Sequence, residues 1–164
     1  MVAALERSLT KQVDRGKLEA ADRDSTLSRV TATHNLHDLH PCDLVIESVV
    51  EDLAVKTALM KELDLVVNDQ AILATNTSTL PVVDMAVVTE RPERVCGVHF
   101  FNPAPMMSLV EVVRPLTASD ETISSVTRFA EACGKKPVEV RDRAGFIVNA
   151  LLFPYLNNAV RMLE

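Results

Sequence analysis

The order of apolar and polar positions divides the chain into short apolar runs separated by longer amphipathic segments. The runs at residues 44–48, 71–75, 95–100 and 109–113 are mostly apolar, as expected of strands that are covered on both faces. Two further runs, at 29–33 and 137–141, are also predicted as strands. The chain therefore carries at least the strand content of a small sheet.

The segments between these runs predict helices. The first 15 residues place Leu5, Leu9 and Val13 on one helical face and end beside Gly16. Further helices are predicted at 19–28, 52–67, 81–87, after Ser119, and at 145–164. Strands that alternate with helices indicate an α/β fold with a partly parallel sheet and helices on both faces.

Sheets of this kind bind ligands beyond the carboxyl ends of their strands. Polar residues follow three of the predicted strands, at 47–51, 76–78 and 99–102. We expect a binding or catalytic site where these three segments meet.

The composition narrows the class of protein without assigning a function. The 164 residues are 48% hydrophobic and carry a net charge of −6 with no Lys/Arg-rich stripe, which argues against nucleic-acid binding. No apolar run approaches the roughly 20 residues needed to cross a bilayer. Cys42, Cys96 and Cys133 are odd in number and widely spaced, and are predicted to be buried thiols of a reducing compartment. The cytoplasm is the expected location.

Two residues within the apolar runs carry potential chemistry, His99 and Glu111. A carboxylate in an apolar run is expensive to bury unless it is paired, and the cheapest partner is a histidine on a neighbouring strand. Such a pair fixes the imidazole tautomer and suits a general base near neutral pH. The other interpretation, a core histidine and a glutamate on an exposed strand face, is equally open from these two residues alone.

A third polar residue, Asn149, shares a predicted helical face with apolar residues of the segment 145–164. A buried amide must find hydrogen-bond partners. The partner is either a backbone group at a domain junction or a substrate, and both readings are open.

Several sequence segments occur in the order and spacing of one known family. They are Asn76-Thr-Ser-Thr-Leu80, His99-Phe-Phe-Asn-Pro103, Leu109-Val-Glu-Val-Val113, Asp142-Arg-Ala-Gly-Phe-Ile-Val-Asn149, and Glu47-Ser-Val-Val-Glu51 followed by Lys56. From about residue 43 to its C-terminus the chain resembles the L-3-hydroxyacyl-CoA dehydrogenases, including the bacterial 3-hydroxybutyryl-CoA enzymes.

The resemblance implies a catalytic role for four residues. His99 would be the general base that takes the proton from the substrate 3-hydroxyl, and Glu111 would orient His99 and stabilise its charged form. Ser78 would hydrogen-bond the reacting oxygen, and Asn149 would hold the substrate near His99. Hydride would pass from C3 of an (S)-3-hydroxyacyl-CoA to NAD, giving the 3-oxoacyl-CoA.

The resemblance also implies ligand contacts. Glu51, Lys56 and Asn102 would approach NAD, with Ser78 near both ligands. Ser8 and Arg15 fall where the family contacts the CoA portion of an acyl-CoA, and an arginine facing a phosphate is chemically sensible. The family is further expected to form homodimers.

The glycines depart from the family pattern. Only four are present, and none can form the Gly-x-Gly-x-x-Gly loop that cradles a pyrophosphate. We therefore expect a partial Rossmann-like NAD-binding domain at residues 1–141, lacking its first strands, which would lie upstream of Met1. Residues 142–164 would begin an all-helical C-terminal domain. Such a fragment is expected to bind NAD weakly, and its dimerisation is doubtful.

Two further functions compete with a dehydrogenase that acts on its own. The chain could be a non-catalytic fragment that retains only packing or partner-binding surfaces, or the dehydrogenase part of a larger bifunctional fatty-acid oxidation protein. A metal site is not expected, because His34, His37 and His40 lie in a polar stretch without a recognised ligand spacing.

Overall fold

The structure, a computed structural model, describes residues 2–164, and the chain divides into a unit that ends at Asp38 and a second unit, Leu39–Glu164. In the first unit, α1 (Val2–Asp14) and α2 (Ala20–Ser28) are the helices predicted there, and neither has a buried residue. The chain turns between them at Gly16, whose φ of +64° lies in the left-handed region that glycine adopts without strain.

The strand predicted at residues 29–33 is wrong. In the described chain these residues belong to no strand. Their β-branched side chains favour extended backbone, but a strand also needs a hydrogen-bonded neighbour, so propensity alone does not create one.

The second unit is built around a five-stranded sheet in the order β1-β2-β3-β4-β5. Its strands are β1 (Leu44–Glu47), β2 (Ile72–Thr75), β3 (Val95–Phe100), β4 (Leu109–Arg114) and β5 (Lys136–Arg141). Its helices are α3 (Leu53–Val66), α4 (Val82–Ala86), α5 (Asp120–Ala132) and α6 (Val148–Arg161), with a short 3-10 turn at Pro92–Arg94. Another 3-10 turn, Leu36–Leu39, includes the boundary between the two units. β1, β2 and β3 are parallel, β4 is antiparallel to β3, and β5 is parallel to β4. The predicted α/β class with a partly parallel sheet is confirmed.

Helices cover both faces of this sheet. On one face, α5 packs on alternate residues of β2, β3 and β4 and closes an apolar core, formed by Ile72, Ala74, Cys96, Val98, Val110, Val112, Ile123, Val126 and Ala130. On the other face a smaller cluster joins α4 to β4 and β5 and contains Val82, Val113, Val140 and Phe146. There Gly97 lies opposite Val113, whose Cβ would be only 2.7 Å from a Cβ added at position 97, so no larger residue fits.

Side-chain caps fix three helix beginnings. Asp52 accepts a hydrogen bond from Val55 N at the start of α3, and Ser119 accepts one from Thr122 N at the predicted start of α5. The short helix α4 is capped from a distant part of the chain, because Asp142 accepts from Val82 N at 3.0 Å and from Val83 N at 2.7 Å. The residue that follows β5 thereby anchors a helix about 60 positions earlier.

The last helix, α6, differs from α3, α4 and α5 because none of its residues is buried. It follows a turn in which Gly145 has φ +74° and Phe146 has φ +51°. It carries exposed large apolar side chains, among them Leu151, Tyr155 and Leu156. None of the helices among residues 2–164 has the length and apolar character required to span a bilayer.

The cysteines correct one prediction. All three are free thiols, but only Cys96 is buried, whereas Cys42 is half-buried and Cys133 is exposed on the helix α5 C-cap. Burial raises the pKa of the Cys96 thiol to about 12. The expectation of buried thiols therefore holds for one position out of three.

Candidate active site

The carboxyl ends of β1, β2 and β3 meet at one edge of the sheet, and Asn76 connects them. Its side-chain oxygen accepts a hydrogen bond from Phe100 N at 2.8 Å, and its side-chain nitrogen donates to Ser48 Oγ at 3.1 Å. Its backbone N–H donates to Glu47 O at 3.0 Å. The three polar segments expected to form a site are therefore neighbours in the structure.

His99 and Glu111 lie directly opposite each other on the antiparallel strands β3 and β4. His99 Nδ1 and Glu111 Oε2 are 2.8 Å apart, and the two residues are only 5% and 1% exposed. The pairing predicted from the apolar run is present, and Glu111 does not lie on an exposed strand face.

The second oxygen of Glu111 holds the beginning of α6. Oε1 accepts hydrogen bonds from Ile147 N and Val148 N, both at 3.0 Å. The carboxylate thus lies at a helix N-terminus, where unpaired amides and the helix dipole favour a negative charge. Glu111 therefore has two tasks, to engage His99 and to dock the first turn of α6.

Aromatic side chains border the His99 ring. The Phe101 ring centroid is 4.4 Å from that of His99, and the Phe146 centroid is 5.8 Å away, both tilted. Among the described residues, His99 Nε2 has no hydrogen-bond partner, whereas Nδ1 is engaged by Glu111. When Nδ1 carries the ring proton and donates it to Glu111, Nε2 presents its lone pair.

Phe146 adopts a left-handed conformation that is uncommon for a bulky residue. It is nevertheless 94% buried, in the cluster with Val82, Val113 and Val140. Packing holds the strained residue beside the His99 ring, and strain of this kind is frequent at functional sites.

Ser78 is held from both sides by side chains of the candidate site. Its backbone N–H donates to Glu51 Oε1 at 2.9 Å, and its carbonyl accepts from Asn149 Nδ2 at 3.1 Å. The buried Thr77 also donates to Glu51 Oε1. Of the two open readings for Asn149, the contact with a backbone group is thus observed.

Lys56 is buried in an ion pair and is only 1% exposed. Its ammonium donates to both Glu47 oxygens at 2.9 Å and lies 3.4 Å from Glu51 Oε2. Glu47 accepts further hydrogen bonds from Thr75 Oγ1 and from Val49 N. The carboxylate and the ammonium are therefore both saturated by protein groups.

Glu51 is the more accessible carboxylate of this cluster, with a side chain 41% exposed. Partial burial raises its pKa, but hydrogen bonds from Thr77 and the Ser78 N–H and the nearby Lys56 charge outweigh that effect and hold the pKa below the ordinary 4.5. Glu51 is therefore an anion at neutral pH. It is held by the Thr77 hydroxyl and the Ser78 N–H, and it fixes the position of both residues in turn.

Three other residues singled out from the sequence, Asn102, Ser8 and Arg15, lie on different parts of the chain. Asn102 is exposed in the loop after β3 and, among the described residues, its side chain makes no hydrogen bond. Ser8 is an exposed residue of α1 and Arg15 follows that helix, so both belong to the first unit. The structure describes that unit by itself.

One histidine of the polar stretch, His40, has a structural partner in the second unit. His40 Nδ1 is 2.9 Å from Val66 O at the end of α3, which gives it a structural partner. Within residues 2–164, no group of three or more histidine, cysteine or carboxylate side chains is placed to hold a metal ion.

Sequence reasoning missed the roles of Glu47, Asn76 and Asp142. Glu47 and Asn76 fall in the polar segments expected to form the site and Asp142 falls in a matching segment, but the sequence assigns none of them a contact, whereas each makes long-range hydrogen bonds in the structure. A signal existed for Glu47, because a carboxylate at the end of an apolar run requires a partner, by the argument used for Glu111. The contacts of Asn76 and Asp142 have no local signal.

Residues 1–143 match the family described as 3-hydroxyacyl-CoA dehydrogenase, NAD binding domain. A 3-hydroxybutyryl-CoA dehydrogenase of Mycobacterium tuberculosis is 48% identical over 160 residues, which are 96% of this chain and 56% of that protein. A fatty acid oxidation complex subunit alpha of Psychrobacter cryohalolentis is 49% identical over 147 residues, or 90% of this chain and 20% of that protein.

Solved structures show the same fold. The crystal structure of 3-hydroxybutyryl-CoA dehydrogenase from Escherichia coli K12 superposes with a TM-score of 0.96 at 41% identity and covers 99% of this chain and 34% of that one. The partial Rossmann-like sheet predicted from the sequence agrees with this likeness. The chain spans little more than half the length of the M. tuberculosis protein it matches.

Proposed function

The chain belongs to the 3-hydroxyacyl-CoA dehydrogenase family through its NAD-binding domain, and on this premise we propose that it serves the oxidation of an (S)-3-hydroxyacyl-CoA to the 3-oxoacyl-CoA. One observation carries the proposal. His99 is buried, its Nδ1 is bound to Glu111 at 2.8 Å, and its Nε2 has no partner among the described residues. This is the arrangement that a general base requires.

In the proposed reaction, His99 Nε2 takes the proton of the substrate 3-hydroxyl. Protonation makes the ring a cation, and the Glu111 carboxylate 2.8 Å from Nδ1 compensates that charge. The two backbone N–H donors on Glu111 Oε1 keep the carboxylate from rotating away. The aromatic rings of Phe101 and Phe146 limit the access of water to the ring.

Ser78 and Asn149 would hold the reacting oxygen of the substrate. Ser78 is fixed through its backbone, which leaves the hydroxyl for the ligand. Asn149 uses Nδ2 to hold Ser78 O at 3.1 Å, and its Oδ1 stays available as an acceptor. We therefore assign Asn149 a shared task, to position Ser78 and to contact the substrate.

The residues of the candidate site fit the nicotinamide end of NAD in part. Glu51, Ser78 and Asn102 are accessible beside the strand ends and would hold it, whereas Lys56 is 1% exposed and reaches the cofactor only through Glu51. When bound, NAD supplies the acceptor for the hydride that leaves C3.

Further parts of the proposal concern the surroundings of the reaction. Ser8 and Arg15 would contact the CoA portion of an acyl-CoA, as the family resemblance implies. The domain boundary is proposed at residues 141/142, where β5 ends and the Asp142 cap leads to α6. A family-type homodimer and a cytoplasmic location are proposed as well, the latter supported by three free cysteines.

The test is acetoacetyl-CoA-dependent oxidation of NADH by the purified chain, followed by absorbance. We expect His99→Gln to lower kcat/KM by about 10²–10⁴-fold, the usual contribution of a general acid or base. His37→Gln, an exposed histidine of the first unit, is the matched control and should leave the rate unchanged. Equal rates for His99→Gln and the unaltered chain would exclude His99 as the base.

The second candidate, a non-catalytic chain that retains binding surfaces, is favoured by one observation. α6 exposes Leu151 and Tyr155 at 70% and 71%, an apolar surface rarely left uncovered. Isothermal titration of the chain with NAD separates the two candidates, because only the dehydrogenase requires NAD binding. A folded chain with neither NAD binding nor NADH oxidation would support the second candidate and refute the first.

A further inference from the structure

Glu47 and Lys56 form a pair that is buried in the protein and not exposed at the candidate active site. Glu47 ends β1, Lys56 lies in α3, and both side chains are only 1% exposed. From the resemblance, Lys56 was expected to approach NAD. Its ammonium instead has Glu47 as a two-oxygen partner and Glu51 Oε2 as a neighbour at 3.4 Å.

A chain of contacts leads from this pair to the candidate reaction centre. Lys56 faces Glu51, whose other oxygen accepts the Ser78 N–H at 2.9 Å. Ser78 O in turn accepts from Asn149 Nδ2 at 3.1 Å. The position of Ser78 therefore depends on Glu51, and that of Glu51 on where the ammonium is held.

We propose that Glu47 is a positioning residue for Ser78, acting through Lys56 and Glu51. The catalytic meaning of this inference rests on the proposed function. The dependence of the Ser78 position on Glu47 does not. Glu47 fixes the ammonium with two hydrogen bonds, so Lys56 attracts Glu51 Oε2 without displacing Glu51 Oε1 from Ser78 N. Lys56 thus acts from within the protein, and Glu51 is the group that reaches the ligand.

The physical reason lies in the competition for one ammonium. Glu47→Gln removes the nearer negative charge and leaves Lys56 buried with Glu51 as its only carboxylate within 4 Å. A buried ammonium without a full counter-charge is costly, so Lys56 would draw Glu51 toward itself. Glu51 would then release the Ser78 amide, which lies in a partly exposed turn.

Amide hydrogen exchange measured by NMR on the ligand-free chain tests this. The quantity is the exchange rate of the Ser78 amide relative to hydrogen-bonded amides of two other turns, Ala118 and Gly134, which also exchange by local opening. In Glu47→Gln we expect this ratio to rise at least about tenfold, the effect of losing a hydrogen bond to a charged group. Glu139→Gln is the matched control, because it removes an ion pair with Arg114 whose carboxylate is 50% exposed, and its ratio should not change.

A purely structural Glu47 gives a different result. In that case Glu47→Gln lowers overall stability, all amides exchange faster together, and the ratio stays constant, which overturns the proposal. If Glu47→Gln does not fold, Glu47→Gln/Lys56→Met removes both buried charges at nearly constant volume. There the proposal expects a ratio near that of the unaltered chain, because no ammonium remains to draw Glu51 away from the Ser78 amide, and a raised ratio refutes it.

The two hypotheses fail separately. The exchange ratio is measured without ligand, so it does not depend on dehydrogenase activity. Absence of NADH oxidation with a raised ratio in Glu47→Gln would refute the proposed function and keep the positioning role. NADH oxidation by the unaltered chain, together with an unchanged ratio in Glu47→Gln, would support the proposed function and refute the positioning role of Glu47.

Discussion

The protein buries two hydrogen-bonded pairs beside the sheet, His99–Glu111 and Lys56–Glu47, and they differ in what remains unpaired. Lys56 donates to both Glu47 oxygens and a backbone carbonyl, and Glu47 accepts two more hydrogen bonds. His99 spends only Nδ1 on Glu111, and Nε2 has no partner among the described residues. We call Lys56–Glu47 the closed pair, because protein groups occupy its donors and acceptors. We call His99–Glu111 the open pair, because His99 Nε2 has no partner among the described residues.

This difference separates a structural pair from a chemical one. Burial is the same for both, since all four residues are 5% exposed or less. A group that acts on a substrate needs an atom with unsatisfied hydrogen-bonding capacity, and a supporting group needs the opposite. The number of free donor or acceptor atoms is therefore the more informative property.

Among the variants that test the difference between the two pairs, Glu111→Ala is expected to change the free energy of unfolding most. It leaves His99 Nδ1 and the amides of Ile147 and Val148 without their partner. We expect the free energy of unfolding, measured in urea, to fall by about 3–5 kcal/mol, the cost of breaking a buried pair. Glu131→Ala on the exposed side of α5 should change it by about 0.5 kcal/mol or less. A similarly small loss for Glu111→Ala would show that other groups anchor α6.

Lys56→Met tests the closed pair. Glu47 keeps its Thr75 and Val49 donors, so we expect a loss of about 3 kcal/mol in urea unfolding, at the lower end for a broken buried pair. Glu47→Gln/Lys56→Met should recover most of that loss, because no buried charge remains. Lys61→Met, an exposed position on the same helix, is the control.

The same double replacement should fail at the open pair. In His99→Gln/Glu111→Gln the neutral amide replaces the carboxylate that caps α6, so stability should stay well below that of the unaltered chain. Full recovery in both double variants would mean that the two pairs are equivalent and that the distinction drawn between them is wrong.

Asn149→Ala has a smaller expected effect on stability. It removes one hydrogen bond, to Ser78 O, so we expect a loss of about 1 kcal/mol in urea unfolding. Activity should fall by a larger factor than this, because Ser78 also loses its alignment. Asn157→Ala, exposed on the same helix, should alter neither quantity. Activity that falls no further than Asn157→Ala would assign Asn149 to packing alone.

The smallest expected effect concerns acid and Glu51. Its pKa is lowered in the folded chain, so the ionised carboxylate contributes stability above the ordinary value of 4.5, and that contribution is lost as the pH falls through the lower folded value. The difference in unfolding free energy between the unaltered chain and Glu51→Gln should therefore shrink on acidification. Asn157→Ala, which changes no ionisable group, should show no such trend.

Local patterns were sufficient for most elements of the sheet. The runs at β1 to β5 follow from their apolar residues, and the start of α5 follows from the polar residue Ser119 before an amphipathic segment. The run at 29–33 failed because a strand depends on a neighbour that local residues do not encode. Cys133 is predicted to be buried but is exposed, so the local residues do not determine its burial either.

The sequence by itself determined the α/β class and the site region, and it offered the pairing of His99 with Glu111 as one of two interpretations, because burying a carboxylate demands a partner. The register of β3 and β4 decided that pairing. Only the tertiary structure decided that Lys56 is closed by Glu47 and that Asn149 holds Ser78, 71 positions away. It also decided that Glu111 anchors α6. These contacts depend on strand order and register, which set the meeting of distant residues, and no local spacing carries that information.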